Sequence, residues 1–228
     1  MGPVSSHDIG FQRARRPEQK LQRQLDILDA ARDLALRDGV VNVSLTDIAD
    51  RAGLHKSALL RYFESREQIF LVLATEAWLD WAQAVRAELD GTPAGAIETV
   101  ADVIVRTLVE RRVLCDVIAQ SALYLERNVS LGGLRRYKLA SFEVFGEVVA
   151  TVNRVLPSLT PAECGDFVDG VLIAAGALFQ MASPPPVLAE AYGLDPELSV
   201  ARVDFQARLR RTASILLAGL VNSRNSIQ

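Results

Sequence analysis

The amino-acid sequence predicts an all-α protein of about nine helices, a three-helix N-terminal unit containing a helix-turn-helix followed by a larger helical bundle. Three observations carry that reading. Apolar residues recur every three or four positions along most of the 228 residues, and no segment shows the period of two that a half-buried strand requires. Helix starts are explicit at Ser44 with Asp47 and at Thr160-Pro161 with Glu163, where a hydroxyl and an acid three residues on can satisfy each other's backbone donors. Half of the residues are apolar, enough for one large core or a small domain beside a larger one, and no internal repeat divides the chain.

Taken in order, residues 1–16 hold Gly2, Pro3, two serines and several arginines without periodicity, which predicts a flexible basic arm. Pro17 or Glu18 opens a helix whose Leu21, Leu25, Leu28, Ala31, Leu34 and Ala35 share a face, and Gly39 stops it. Val41 to Val43 is a short apolar link. The next stretch, SLTDIADRAGLHKSALLRYFESREQI, organises the rest of the chain. Ile48, Ala49 and Ala52 line one side of a short helix, with Ala49 small enough for a second helix to cross closely. Gly53 sits where a tight turn needs positive φ. Leu54 anchors the turn, and Leu59, Tyr62 and Phe63 return at helical spacing. The face left over is Lys56, Ser57, Ala58, Leu60 and Arg61, small, polar and cationic residues that can enter a major groove and reach base edges or phosphates. The alternative is a pair of amphipathic helices that merely pack together.

After Glu64-Ser65, Arg66-Glu67 opens a helix through Trp78 and Trp81 to about Leu89 that joins this head to the body. Thr92-Pro93 has the form of a helix start, and Ile97, Val100, Ala101, Ile104, Val105, Leu108 and Val109 follow in register. Val113 to Leu125 reads as a strongly apolar helix. Ser130 caps another, with Leu134, Tyr137, Phe142, Phe145, Val148, Val149 and Val152 on its inner side and Pro157 at its end. Thr160 opens a helix to about Ala182 that is apolar on more than one side. Pro184-Pro185-Pro186 begins a loop reaching Asp195-Pro196, and a last helix spans about Ser199 to Val221. The expected organisation is an arm (1–16), a helix-turn-helix domain (17–65), a helical regulatory domain (66–222) and a tail (223–228).

Ser44, Asp47-Ile48-Ala49, Ala52-Gly53-Leu54, Leu59, Phe63 and Ser65-Arg66-Glu67 together resemble the signature of TetR-family transcriptional regulators, the TetR/AcrR type. The resemblance implies contacts to double-stranded DNA from Ser44, Thr46, His55, Lys56, Ser57, Ala58, Leu60, Arg61, Tyr62 and Arg66, with Arg66 meeting a phosphate at a helix start. It implies a homodimer formed through the last two helices and a two-fold symmetric operator with half-sites roughly 34–36 Å apart. It also implies a small-molecule effector pocket among the middle helices, for which Trp78, Trp81, Cys115, Tyr124, Phe142, Phe145 and Phe179 are candidate lining residues. Aromatics at helical spacing serve equally as packing. Three positions depart from the family pattern. Leu60 replaces a tyrosine and is placed to meet a thymine methyl. Tyr62 replaces a histidine and can offer a phosphate its hydroxyl. His55 replaces a serine cap, and either caps imperfectly or touches a phosphate.

The net charge of −3 and pI near 5.5 do not advertise nucleic-acid binding, but their distribution does. Residues 11–23 carry five cations against Glu18, a net +4, which leaves −7 for the rest. Cys115 and Cys164 are too few for a disulfide framework and lack metal-ligand spacing, so a reducing cytoplasm is the expected setting. No signal peptide is recognisable, and Val171 to Ala182, interrupted by Gln180, is too short for a bilayer span, so no membrane partner is expected. There is no Gly-rich phosphate loop, and the only histidines are His7 and His55, so neither an enzyme, a cofactor nor a metal site is expected. The function that follows is a homodimeric repressor released from its operator by a small, largely apolar effector. The alternatives are a ligand-binding or interaction dimer with weakened DNA recognition, and a ligand-independent regulator or an activator.

Overall fold

A computed structural model describes residues 7–121 and 123–225, with the side chains of residues 17–121 and 123–223. Among the described residues the protein is all-helical, with eleven α-helices and two 3-10 turns where the sequence suggested about nine helices. The head comprises α1 (His7–Asp38), a 3-10 turn (Val40–Asn42), α2 (Leu45–Arg51) and α3 (Lys56–Leu59). The body comprises α4 (Arg66–Leu89), α5 (Ile97–Val109), α6 (Arg112–Ser121), a second 3-10 turn (Leu125–Arg127), α7 (Leu131–Val155), α8 (Pro161–Ala182), α9 (Pro186–Leu194), α10 (Pro196–Ser199) and α11 (Phe205–Asn225).

The head's boundaries follow from local chemistry. Gly39 ends α1 at φ +82°, its N–H bonding the Ala35 carbonyl. The Ser44 hydroxyl accepts from the Asp47 N–H at 3.2 Å while the Asp47 carboxylate accepts from the Ser44 N–H at 2.8 Å, the reciprocal cap read from the sequence. Gly53 adopts φ +66° and lets the Leu54 N–H reach back to the Ala49 carbonyl at 2.8 Å, closing α2 and aiming α3 across it. Ile48, Ala49, Leu59 and Phe63 are buried at that crossing. The expected flexible arm is corrected in part: residues 1–6 lie outside the described residues, and α1 already runs from His7, with Pro17 inside it rather than at its start. Leu21 and Leu25, expected to be inward, are exposed, because α1 meets the rest of the head only from about Ile27 onward.

In the body, α4 lies along α7, α6 and α11 pack on α8, and α5 is held between α4 and α11. Arg154 of α7 donates to the Leu89 carbonyl at 2.8 Å and closes the end of α4. Thr92-Pro93 does not open α5. Gly91 and Gly95, both at positive φ, fold residues 91–95 into a turn, and the helix starts at Ile97. The apolar helix expected to reach Leu125 stops at Ser121, and the second 3-10 turn follows. Ser130 caps α7 and Thr160 forms the second reciprocal cap, at the start of α8, as expected. The segment after Ala182 departs most from expectation. The prolines end α8, but Pro186 and Pro196 then occupy first helical positions, where a missing N–H costs nothing, and start α9 and α10. The last helix accordingly begins at Phe205 rather than Ser199. By length and composition alone α8 is apolar enough to cross a membrane, in contrast to the shorter run read from sequence; 44% of its most apolar window is buried within the protein.

Candidate functional site

The outer face of the head is built by α2 and α3. Leu59 is buried beneath α3, and the positions of α3 and its flanks turn outward: His55, Lys56, Ser57, Leu60 and Arg61 are exposed, and Ala58 and Tyr62 are half-buried. The helix tightens after Leu59, where the Arg61 and Tyr62 N–H groups bond the carbonyls three residues back. His55 stands at the N-cap position without a side-chain cap bond. None of Lys56, Ser57 and Arg61 has a side-chain hydrogen bond or ion pair among the described residues. Thr46 is exposed on the adjoining first turn of α2. Lys20 and Arg23 of α1 line a cleft of about 820 Å³ with Arg61 and Tyr62, so cations from two helices meet on one side of the head. In the sequence these two belonged to a basic run, but only the helix phase of α1 places them beside α3.

Two of the expected DNA-contacting residues are otherwise engaged. The Ser44 hydroxyl donates to the Asp47 carboxylate at 2.6 Å as well as accepting its N–H, so it is occupied as a cap. Arg66 is turned inward rather than toward a phosphate: its guanidinium donates to the Val43 and Val40 carbonyls, pairs with Glu67 at 3.2 Å and lies over the Phe70 ring, 4.8 Å from its centroid. A cation that satisfies two loop carbonyls holds the link between α1 and α2 onto the start of α4.

The candidate pocket residues divide by helix face. Trp81 is fully buried, and its indole N–H donates to the Thr107 hydroxyl on α5 at 3.0 Å. Trp78 stacks edge-on against it, centroids 5.6 Å apart, and its own buried N–H has no acceptor among the described residues. Phe179 is buried, edge-on to Phe205 and with Arg112 5.5 Å above its ring, and Phe145 is half-buried against the core. Cys115 is buried, its thiol donating to the Leu108 carbonyl at 3.3 Å; burial, and then the adjacent Asp116 charge, push its pKa up to about 12. It is a packed thiol, not a nucleophile. Tyr124 and Phe142 are corrected: they are 55% and 67% exposed, because α6 ends before Tyr124 and Phe142 falls on the outer side of α7. Among the described residues no cluster of His, Cys, Asp or Glu could hold a metal ion.

Sequence reasoning missed one buried acid. Asp116 of α6 is 5% exposed and accepts from the Val40 N–H of the head at 2.6 Å and from the Gln180 amide of α8 at 2.8 Å. A lone acid inside the apolar run Val113 to Ala119 is the signal that could have found it.

The bacterial regulatory protein model of the tetR family matches residues 27–73, and the tetracyclin repressor-like C-terminal domain matches residues 75–224. Among solved structures, FadR from Bacillus subtilis in complex with stearoyl-CoA is similar at TM-score 0.54 and 15% identity, covering 86% of this chain and 98% of its own. The fatty acid degradation regulator FadR from Bacillus halodurans is similar at TM-score 0.53 and 15% identity, with 87% and 96% covered. The SmeT–triclosan complex is similar at TM-score 0.50 and 15% identity, with 87% and 91% covered. No curated protein matches the sequence. With one family model covering the helix-turn-helix and the other nearly all of the body, the chain belongs to the TetR family of bacterial transcriptional regulators.

Proposed function

We propose that the protein is a homodimeric repressor that binds a two-fold symmetric operator through α2 and α3 and is released by a small, largely apolar effector. One observation carries the DNA-reading part. Lys56 and Ser57 on α3 and Arg61 just after it stand exposed and without a side-chain partner among the described residues, while Arg32, Arg51 and Arg66 nearby are held in ion pairs. Cations without an internal partner are the ones a phosphate or a guanine edge can recruit. Tyr62, Lys20 and Arg23 extend that surface.

Dimerisation is supported by the surplus apolar surface of α8 and α11. Ile173, Met181 and Ile215 are exposed beside Ala177, Ala218 and Gly219. A second copy would cover them and supply the second reading head. The effector core is assigned to Trp78, Trp81, Phe145 and Phe179. These side chains pack as core, so a ligand would enter by parting them, and the unpartnered Trp78 N–H is a donor for one of its acceptor atoms. Two structural relatives hold stearoyl-CoA and triclosan, molecules with large apolar parts, which is in keeping with such an effector. The protein acts in the cytoplasm and carries out no chemistry.

The test is selection of random duplex DNA by the intact protein at physiological salt with competitor present. A palindromic consensus is expected, and Lys56→Ala and Arg61→Ala should each weaken binding to it by about tenfold. Retention of DNA no better than the competitor would overturn the proposal.

A further inference from the structure

Besides its contacts with α4, among them the Arg32–Glu76 ion pair, the head is hydrogen-bonded to the body at two places among the described residues. The first is the turn between α3 and α4. There the Ser65 hydroxyl donates to the Asn128 carbonyl at 3.0 Å, and Glu64 accepts from the Ser130 N–H at 3.0 Å. The second is Asp116. Its two carboxylate oxygens are divided between the head, through the Val40 N–H, and α8, through Gln180. Both ties lead to one stretch of the body, α6 and the turn that follows it, and they grip the head at different links. Two separated fixings resist rotation of the head, which a single one would not.

Both ties use a carboxylate acceptor, but the Asp116 tie is the stronger: at 5% exposure water competes little for it, whereas Glu64 is exposed. Val40 is also held from the other side, since its carbonyl accepts from Arg66 at the start of α4. The peptide after Gly39 is therefore clamped between a body acid and an α4 cation. Any shift of α6 relative to α4 must break one bond or carry α1 and α2 with it.

We propose that Asp116 is a positioning residue for DNA recognition: by anchoring Val40 to α6 and α8 it fixes the angle of the reading head on the body, and with it the half-site spacing the dimer accepts. The proposal rests on the DNA-reading function above. It also assigns Gln180 a role, that of making α8, a helix of the proposed dimer face, part of the same anchor.

The experiment uses the intact protein and its selected palindrome, with the spacer between half-sites set at the native length and one base pair longer or shorter. One base pair turns a half-site by about one tenth of a helical turn, so a rigidly held pair of heads should lose about tenfold in affinity on either change. Asp116→Ala should bind the native spacing more weakly and distinguish the three spacings by less than about threefold. Asp116→Asn, whose amide oxygen still accepts from Val40, should retain most of the wild-type preference. If Asp116→Ala loses its cooperative melt, Gln180→Met, which removes only the α8 side of the anchor, should show a partial relaxation. Equal weakening at all three spacings, or an unchanged preference in a folded variant, would overturn the proposal. Failure of the wild-type protein to select any palindrome would instead overturn the DNA-reading function itself.

Discussion

In the head, the residues that fix α2 and α3 are consumed locally. Ile48, Leu59 and Phe63 fill the crossing, Ser44 and Asp47 cap each other, and Gly53 closes the turn, so the outward face is left to groups with no internal task. The body is organised the other way round. Its interior is large and buries Trp81, Phe70 and Phe167 completely, yet α8 leaves Ile173 64% exposed and α11 leaves Ile215 60% exposed. The recognition face of the head, Leu60 apart, is polar and cationic; the uncovered face of α8 and α11 carries large apolar side chains. The first suits a partner that comes and goes with salt and the second a partner that stays.

The largest expected effect tests the body's interior. Trp81→Ala removes the largest fully buried side chain and strips Thr107 of its indole donor, so it should destabilise the protein by about 3–5 kcal/mol, measured by urea unfolding. Next comes the body's exterior. Ile173→Asp places a charge on the exposed face of α8, touches no buried contact, and should convert dimer to monomer by sedimentation while the melting temperature of the isolated protomer stays close to wild type. Dimers that survive this change would end the contrast between a finished head and an unfinished body.

Two glycines sharpen it further. Gly176 of α8 lies where an added Cβ would come within 3.2 Å of the Ala119 backbone nitrogen, so Gly176→Ala must push α6 and α8 apart, at about 1–3 kcal/mol. An added Cβ on Gly53 would meet nothing within 4 Å. Its substitution by Ala costs only the left-handed backbone, about 1–2 kcal/mol, and should weaken DNA binding more than it lowers the global melt. The first glycine is needed for proximity and the second for conformation.

Much of this was legible in the sequence, and what was hidden has a physical cause. Caps and turns are local, so Ser44-Asp47, Gly53, Ser130 and Thr160-Glu163 could be read directly, and the helix-turn-helix with them. Errors arose where a local signal had two readings. Thr92-Pro93 looks like a helix start but lies between two turn glycines, and the prolines after Ala182 end one helix while starting the next. At the site, helical spacing placed Phe142 on a face but could not say which face would be covered. The inward roles of Arg66 and Asp116 were hidden for another reason: although Asp116 stands out as a lone acid in an apolar run, the head groups that both residues bind are backbone carbonyls and an N–H 23 to 76 residues away, which leave no mark in the pattern of side chains.

The smallest effect separates the two regions by pH. In the head, the Asp47 pKa is lowered, first by the Ser44 hydroxyl and then by the Ser44 N–H, both of which favour the carboxylate. The unfolded chain, with an ordinary pKa of about 3.9, takes up a proton before the folded one does. The cap's contribution is therefore fully present above that value and is lost as pH falls through the lower folded pKa. Ser44→Ala removes the hydroxyl, and with it the cap and the larger cause of the shift, while the backbone N–H remains. The stability difference between wild type and Ser44→Ala should be largest at neutral pH and shrink as pH falls below about 4. Thr160→Ala breaks the same kind of reciprocal cap at the start of α8. Helix-resolved hydrogen exchange should confine the Ser44→Ala loss to α2 and the Thr160→Ala loss to the first turns of α8. A loss that spread from Ser44 into the body would mean that head and body unfold as one unit, and that the polar ties at Asp116 and Glu64 couple them in stability as well as in orientation.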